Sequence, residues 1–204
     1  MPGPESAIAV DADDVLKYLR MKPCTDDATL LGRIWELIAK ASSAIRPAVT
    51  WKRFALCADG IVSGGQTLAV PGTLAAHLRG CKSAYLVCGT IGAGFDAFMR
   101  RVSAVSGADA LIAQAIGTAA IEKLMDSAAA EIAAELCDGE TAISRYSPGY
   151  GDFPLAAQRT ILDLLDAPRR TGVSLTDSLL MVPSKSVSAV VGVRDLWAVR
   201  PPQK

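Results

Sequence analysis

At 204 residues and 21.3 kDa the chain has the length of one domain, large enough to bury a core without disulfide or metal staples. Half of its residues are hydrophobic but only 5% are aromatic, so that core is to be built from Ala, Leu, Val and Ile. Lys and Arg (21) balance Asp and Glu (21), and no basic block occurs, which excludes the cationic footprint of a nucleic-acid binder.

The first residues, Met1 to Ser6, lack the basic start and long apolar run of a signal peptide. Apolar stretches elsewhere are interrupted too often to span a bilayer. Five cysteines (Cys24, Cys57, Cys81, Cys88 and Cys137) show no paired spacing, the pattern of small buried side chains in a reducing cytoplasm. With His77 as the sole histidine and no Cys-x-x-Cys, a protein-held zinc or iron–sulfur site is not expected. The same scarcity excludes Ser-His-Asp and Cys-His catalysis, so no catalytic residue is assigned.

In chain order, Asp11 to Arg20 predicts a short helix with Val15, Leu16 and Leu19 on its apolar stripe. Thr25 is the expected cap of a second helix, with Leu30, Leu31, Ile34, Trp35, Leu37 and Ile38 at helical spacing and Pro47 as its stop. Val49 to Cys57 reads as a strand. Turns at Asp59-Gly60 and Ser63-Gly64-Gly65 then lead to a second short strand, Thr67 to Val70. His77 falls in a short helical run, Thr73 to Arg79, as a surface or boundary residue.

Ala84 to Cys88 has the length and apolar continuity of a buried strand. The glycines after it, Gly89, Gly92 and Gly94, are spaced unlike a dinucleotide fingerprint, and no Gly-Lys-Ser/Thr is present. They predict a turn and cap for a helix from Phe95 to about Val105, with a pocket wall as the second use. Asp109 to Leu136 reads as one long helix or two, broken at Gly117. On a helical projection Leu111, Ala115, Thr118, Met125, Ala129, Ala133 and Leu136 share a face, with Glu122 in its middle and Glu131 and Glu135 opposite. A carboxylate on an apolar stripe requires a partner, either an ion pair or a ligand. Asp126 is its neighbour one turn on.

Asp138-Gly139 predicts a turn and Thr141 to Arg145 a strand. Arg145-Tyr146-Ser147-Pro148-Gly149-Tyr150-Gly151-Asp152-Phe153-Pro154 then packs a guanidinium, two phenols, glycines and prolines into ten residues. Such a loop is either a plain strand-to-helix turn or a rigid frame that holds side chains for a ligand. Asp152 is expected to cap a helix from near Pro154, with Leu155, Ile161, Leu162 and Leu165 buried. Pro168 is its expected stop, with Arg169 and Arg170 near its end. Ser174 to Val182 and Ser186 to Val193 read as strands joined around Pro183-Ser184-Lys185, and residues 201–204 as a disordered tail. Closely spaced strand pairs predict a single α+β domain over 1–204, with an antiparallel or mixed sheet flanked by helices.

Arg145, Gly149 and Tyr150 form an Arg-x-x-x-Gly-Tyr motif. Leu175 to Ser178, Met181-x-Pro183 and Ser186-Val187-Ser188 follow it in order. In these motifs the chain resembles the reactivation (activation) domain of vitamin B12-dependent methionine synthase, most strongly over residues 122–192. The resemblance implies an α+β fold and a site for S-adenosylmethionine. In that site Arg145 would take the carboxylate, Tyr150 the adenosyl half, and the backbone of Ser147 and Gly149 further hydrogen bonds. Glu122 would take the ribose hydroxyls or the ammonium. It further implies a role in methionine biosynthesis: a stand-alone, cytoplasmic accessory subunit for remethylating the cobalamin of a methionine synthase polypeptide that lacks this domain. Flavodoxin or a similar donor would supply the electron, cobalamin would be met only through the partner, and neither nucleic acid nor membrane would be involved. Two other roles are a non-catalytic interaction protein with a degenerate site and a subunit serving another corrinoid methyltransferase. The aliphatic Ala189-Val190-Val191 stand where that family has an aromatic residue.

Overall fold

The computed structural model describes residues 8–22, 26–58 and 60–196. The expectations at Met1 to Ser6, Cys24, Thr25, Asp59 and the 201–204 tail lie outside the described residues.

Helix α1 (Ala12–Tyr18) starts at a capping box formed by Asp11 and Asp14 and buries Val15 and Leu16. Helix α2 (Ala28–Ser42) is capped by Asp27, whose side chain accepts from Leu30 N–H. It ends at Ser42, five residues before Pro47, and Trp35 on it is half exposed while Ile34, Leu37, Ile38 and Ala41 are buried. Strand β1 (Ala48–Ala55) follows, then a hairpin of β2 (Ile61–Ser63) and β3 (Gln66–Leu68), of which β2 was not expected. After α3 (Gly72–His77) comes β4 (Cys81–Thr90), longer at both ends than its apolar run and buried over eight consecutive residues.

The glycine-rich turn leads into α4 (Ala93–Ser103). Gly92 has φ +89°, and a Cβ there would lie 2.7 Å from the Arg46 carbonyl oxygen. The turn is therefore shaped by close backbone packing. Helix α5 (Gly107–Ala134) runs unbroken through Gly117, which provides room for the Phe95 ring. Its buried residues include Ile112, Ile116, Ala119, Ala120, Leu124 and Met125, so the apolar surface nearly encircles its middle. The projected single face is corrected accordingly: Leu111 is 67% exposed, and Glu135 lies over the sheet, accepting from Trp51 Nε1 (3.0 Å) and the Tyr85 hydroxyl (3.2 Å).

Strand β5 (Glu140–Tyr146) precedes the motif loop, and α6 (Ala157–Leu165) follows it without a side-chain cap. It ends in a left-handed Asp166, and Pro168 lies within the first turn of α7 (Ala167–Thr171), beginning a helix where a stop was expected. The stretch from Ser174 to Val182 is a hairpin of β6 (Ser174–Leu175) and β7 (Met181–Val182), not one strand, before the long β8 (Ser186–Asp195).

The main sheet has the order β1-β4-β8-β5, with all its pairs antiparallel. The α+β reading with an antiparallel sheet is thus what the chain adopts. Alternation along β4 and β8 divides the core. Tyr85, Val87, Ala189 and Val191 meet α5, with α1, α2 and α4 behind it. Ala84, Leu86, Cys88 and Val190 meet α6 and α7 on the other face. The aliphatic 189–191 run is fully buried in these two layers. Of the four described cysteines, all free, only Cys88 is buried, while Cys57 and Cys137 are exposed, which corrects the expectation of buried thiols. No described helix is long and apolar enough to cross a membrane.

Candidate functional site

The site forms where β5 leaves the sheet. Between Ala142↔Val193 and Arg145↔Val191 the register shifts, with three steps on β5 against two on β8. This bulge changes which face each later residue takes. Arg145 is thereby set opposite Val191, on the α5 face, and Tyr146 opposite Val190, on the α6 face. From Arg145, Nη2 donates to Glu122 Oε2 at 2.9 Å and to Asp126 Oδ1 at 3.0 Å. Its Nε and Nη1 carry no hydrogen bond to described residues.

After Tyr146 the loop folds on itself. Gly149 N–H donates to the Phe153 carbonyl at 2.8 Å, and Phe153 N–H to the Tyr150 carbonyl at 3.0 Å. Phe153 is buried and its ring lies 6.3 Å from that of Tyr146. Gly151 takes φ +56° against Thr73, where a Cβ would be 2.9 Å from the threonine Cβ. Asp152 does not cap α6. It accepts from the N–H of Thr73 at 3.0 Å and from its hydroxyl, so the loop is fastened to the start of α3. Those hydrogen bonds hold the Asp152 carboxyl below its usual range. His77 supports the strand end from the same helix, its Nε2 2.8 Å from the Ser144 carbonyl oxygen and its ring 5.0 Å from that of Tyr146.

Around this frame lies a cavity of about 590 Å³. Glu122, Arg145, Ser147 and Tyr150 line it, so four of the five residues named from the sequence share one space although 28 positions separate the first from the last. Gly149 does not line it, and its N–H is already committed to Phe153. Asp126, bonded to the same guanidinium nitrogen as Glu122, stays outside with its side chain 73% exposed. Further lining comes from Leu179, Leu180 and Met181 of the β6–β7 hairpin and from Ser186 to Ser188 of β8. No residue of the 89–94 turn contributes.

Sequence reasoning missed Gln158 and gave Ser188 no role beyond its motif. Both line the cavity, both are more than nine-tenths buried, and Gln158 Oε1 and Ser188 Oγ have no hydrogen-bond partner. A buried polar atom without a partner costs free energy and calls for an explanation. The signal for Gln158 was present: it sits three residues before Ile161 and four before Leu162, a polar residue on the apolar stripe of α6, just as Glu122 does on α5.

Lys185, beside this wall, donates to the Thr118 hydroxyl at 2.8 Å, and burial lowers its pKa despite the nearby Asp96 carboxylate. Burial likewise raises the Tyr18 phenol, helped by the negative charges of Glu122 and Asp126. Among the described residues no group of three His, Cys, Asp or Glu side chains could hold a metal ion.

The chain is an α+β domain with a cavity beside the end of β5, lined by an arginine and a glutamate among others. The family model for the activation domain of vitamin B12-dependent methionine synthase matches residues 119–195. That match runs from just before Glu122 to the end of β8, and the resemblance read from the motifs is borne out over this segment. In fold it is similar to a crystal structure of the MetH reactivation domain bound to AdoHcy, with a TM-score of 0.59 and 16% identity, covering 96% of this chain and 71% of that one. No curated protein matches.

Proposed function

We propose that the protein binds S-adenosylmethionine in this cavity and acts in trans in the reductive remethylation of a methionine synthase polypeptide that lacks its own activation domain. One observation carries the reading: the motif residues Glu122, Arg145, Ser147 and Tyr150 line a single cavity. Its volume falls within the range of small-molecule sites.

The residues present fit the ligand. Arg145 keeps Nε and Nη1 for a carboxylate, while Glu122 and Asp126 fix the guanidinium from its other nitrogen. Glu122 accepts from the ammonium or from ribose hydroxyls. Tyr150, 66% exposed at the mouth, offers its ring to the adenosyl half, and Ser147 offers its backbone. S-adenosylmethionine, when bound, supplies the methyl group. The chain's own part is to bind and orient it, which needs no acid–base pair.

In this reading residues 1–204 act as one stand-alone unit in the cytoplasm. The corrinoid is reached only through the partner, and flavodoxin or a similar donor supplies the electron. Contact with the partner is transient, made by a modest surface around the cavity mouth. The test follows the visible spectrum of an oxidised corrinoid protein with a reducing system and S-adenosylmethionine. The wild type accelerates appearance of the methylated corrinoid and Tyr150→Ala does so less. Equal rates with and without the protein refute the proposal.

A further inference from the structure

A second cavity, of about 390 Å³, is lined by α2, α4 and the start of α5. It shares no lining residue with the first, and Asp109 in one and Glu122 in the other lie about 20 Å apart along α5. On α4 and just past its end, Phe98, Arg101, Val102 and Val105 recur at the spacing of one helical face. Arg33, Leu37 and Lys40 line the cavity from α2 at the same kind of spacing. Leu37 and Phe98 are buried, whereas Val105 is 86% exposed.

Ion pairs hold this frame in place. Arg33 Nε donates to Asp109 Oδ1 at 2.7 Å and Nη2 donates to Oδ2, a bidentate pair that ties α2 to the first turn of α5. Nη1 of the same guanidinium donates to Glu36, which also accepts from Lys40 Nζ at 2.5 Å. Two carboxylates thus balance the charges of Arg33 and Lys40. Arg101 has no hydrogen bond or ion pair to a described residue, so the cavity keeps one uncompensated positive charge. Apolar lining beside a single free guanidinium is complementary to a small molecule with an apolar body and one negative charge. The planar fork of arginine suits a carboxylate. The volume lies at the low end of small-molecule sites, which limits the body to a short chain.

We propose that this cavity binds an amphiphilic aliphatic monocarboxylate, with its carboxylate on Arg101 and its chain against Leu37, Phe98, Val102 and Val105. The site is separate from the one described above and does not depend on the ligand assigned there.

The test is calorimetry at low salt with octanoate, octan-1-ol and acetate, for the wild type, Arg101→Gln, Val105→Asp and Arg145→Ala, with melting and sedimentation of each free protein. The wild type binds one octanoate per chain. Octan-1-ol and acetate bind at least about tenfold more weakly, since one lacks the charge and the other the buried methylenes. Arg101→Gln and Val105→Asp each weaken octanoate about fivefold or more, the first by removing the cation and the second by placing a carboxylate beside it. Both positions are exposed, so the free variants melt within about 2 °C of the wild type. Arg145→Ala binds octanoate as the wild type does, which separates this site from the arginine of the first cavity. No saturable octanoate binding, or equal affinity for octanoate and octan-1-ol, overturns the inference. Binding lost in Arg145→Ala but kept in Arg101→Gln also overturns it and moves the carboxylate to the first cavity. So does a wild-type dimer that Val105→Asp dissociates, which assigns the groove to a second copy of the chain.

Discussion

Replacing Arg145 by alanine separates an ion-pair role from a ligand role, because the structure sets different magnitudes for the two. Arg145 is 23% exposed, Glu122 40% and Asp126 73%, so its ion pairs are well screened and together contribute about 1 kcal/mol or less. Their loss also leaves two carboxylates one helical turn apart, a further few tenths of a kcal/mol. The free variant is therefore destabilised by about 1 kcal/mol, or roughly 2–4 °C for a chain of this size. Losing a charge-assisted contact to a ligand carboxylate costs about 2–3 kcal/mol, a weakening of about 30- to 150-fold. At a ligand concentration about 100 times the wild-type Kd, linkage stabilises the wild type by about 2.7 kcal/mol and the variant by less than about 1 kcal/mol. Thermal melts with and without S-adenosylmethionine read both quantities. Glu122→Gln, within the cavity, follows Arg145→Ala in losing the ligand-induced shift, while Asp126→Asn, outside it, keeps the shift. An Arg145→Ala variant that melts lower but retains the full ligand-induced shift refutes the reasoning and leaves the arginine a structural role.

Gly117→Ala destabilises by about 1–3 kcal/mol in urea unfolding although alanine is the better helix former, because its Cβ would lie 2.6 Å from Phe95 Cζ. Gly32→Ala, with nothing within 4 Å of the added Cβ, stabilises by about 0.5–1 kcal/mol in the same assay. Cys88, its thiol pushed up to about 12 by burial, resists alkylation in the folded protein at about pH 8, whereas Cys57 and Cys137 label readily; mass spectrometry of digested protein distinguishes them. The depressed pKa of Asp152 makes its clamp on Thr73 fully effective above the ordinary value of 3.8 and weaker as pH falls through the folded-state value. The protection factor of the Thr73 amide, taken against the intrinsic exchange rate at each pH, accordingly falls at acid pH in the wild type, and is already low at neutral pH in Asp152→Ala.

Most helices, β4 and β5 were legible because apolar spacing and capping residues act locally. The errors arose where packing overrode local pattern. At Gly117 the sequence left one helix or two open, and the Phe95 ring against it makes the unbroken helix the better-packed state. Ser174 to Val182 has the composition of a strand, yet Leu179 adopts φ +64° and the segment folds back into a hairpin. In the site, Glu122 was visible as a carboxylate on an apolar stripe, and Gln158 could have been found by the same argument. The bulge that turns Arg145 toward Glu122 left no mark in the sequence, since it depends on how β5 registers with a strand more than 40 residues later. The exclusion of Gly149 from the cavity was equally invisible, being set by its hydrogen bond to Phe153.

Isothermal titration of the wild-type protein with S-adenosylmethionine tests the central claim most directly. Saturable binding of one ligand per chain, competed by S-adenosylhomocysteine and weakened about 30-fold or more in Arg145→Ala, is the predicted result. No saturable heat, or identical isotherms for the wild type and Arg145→Ala, would contradict it.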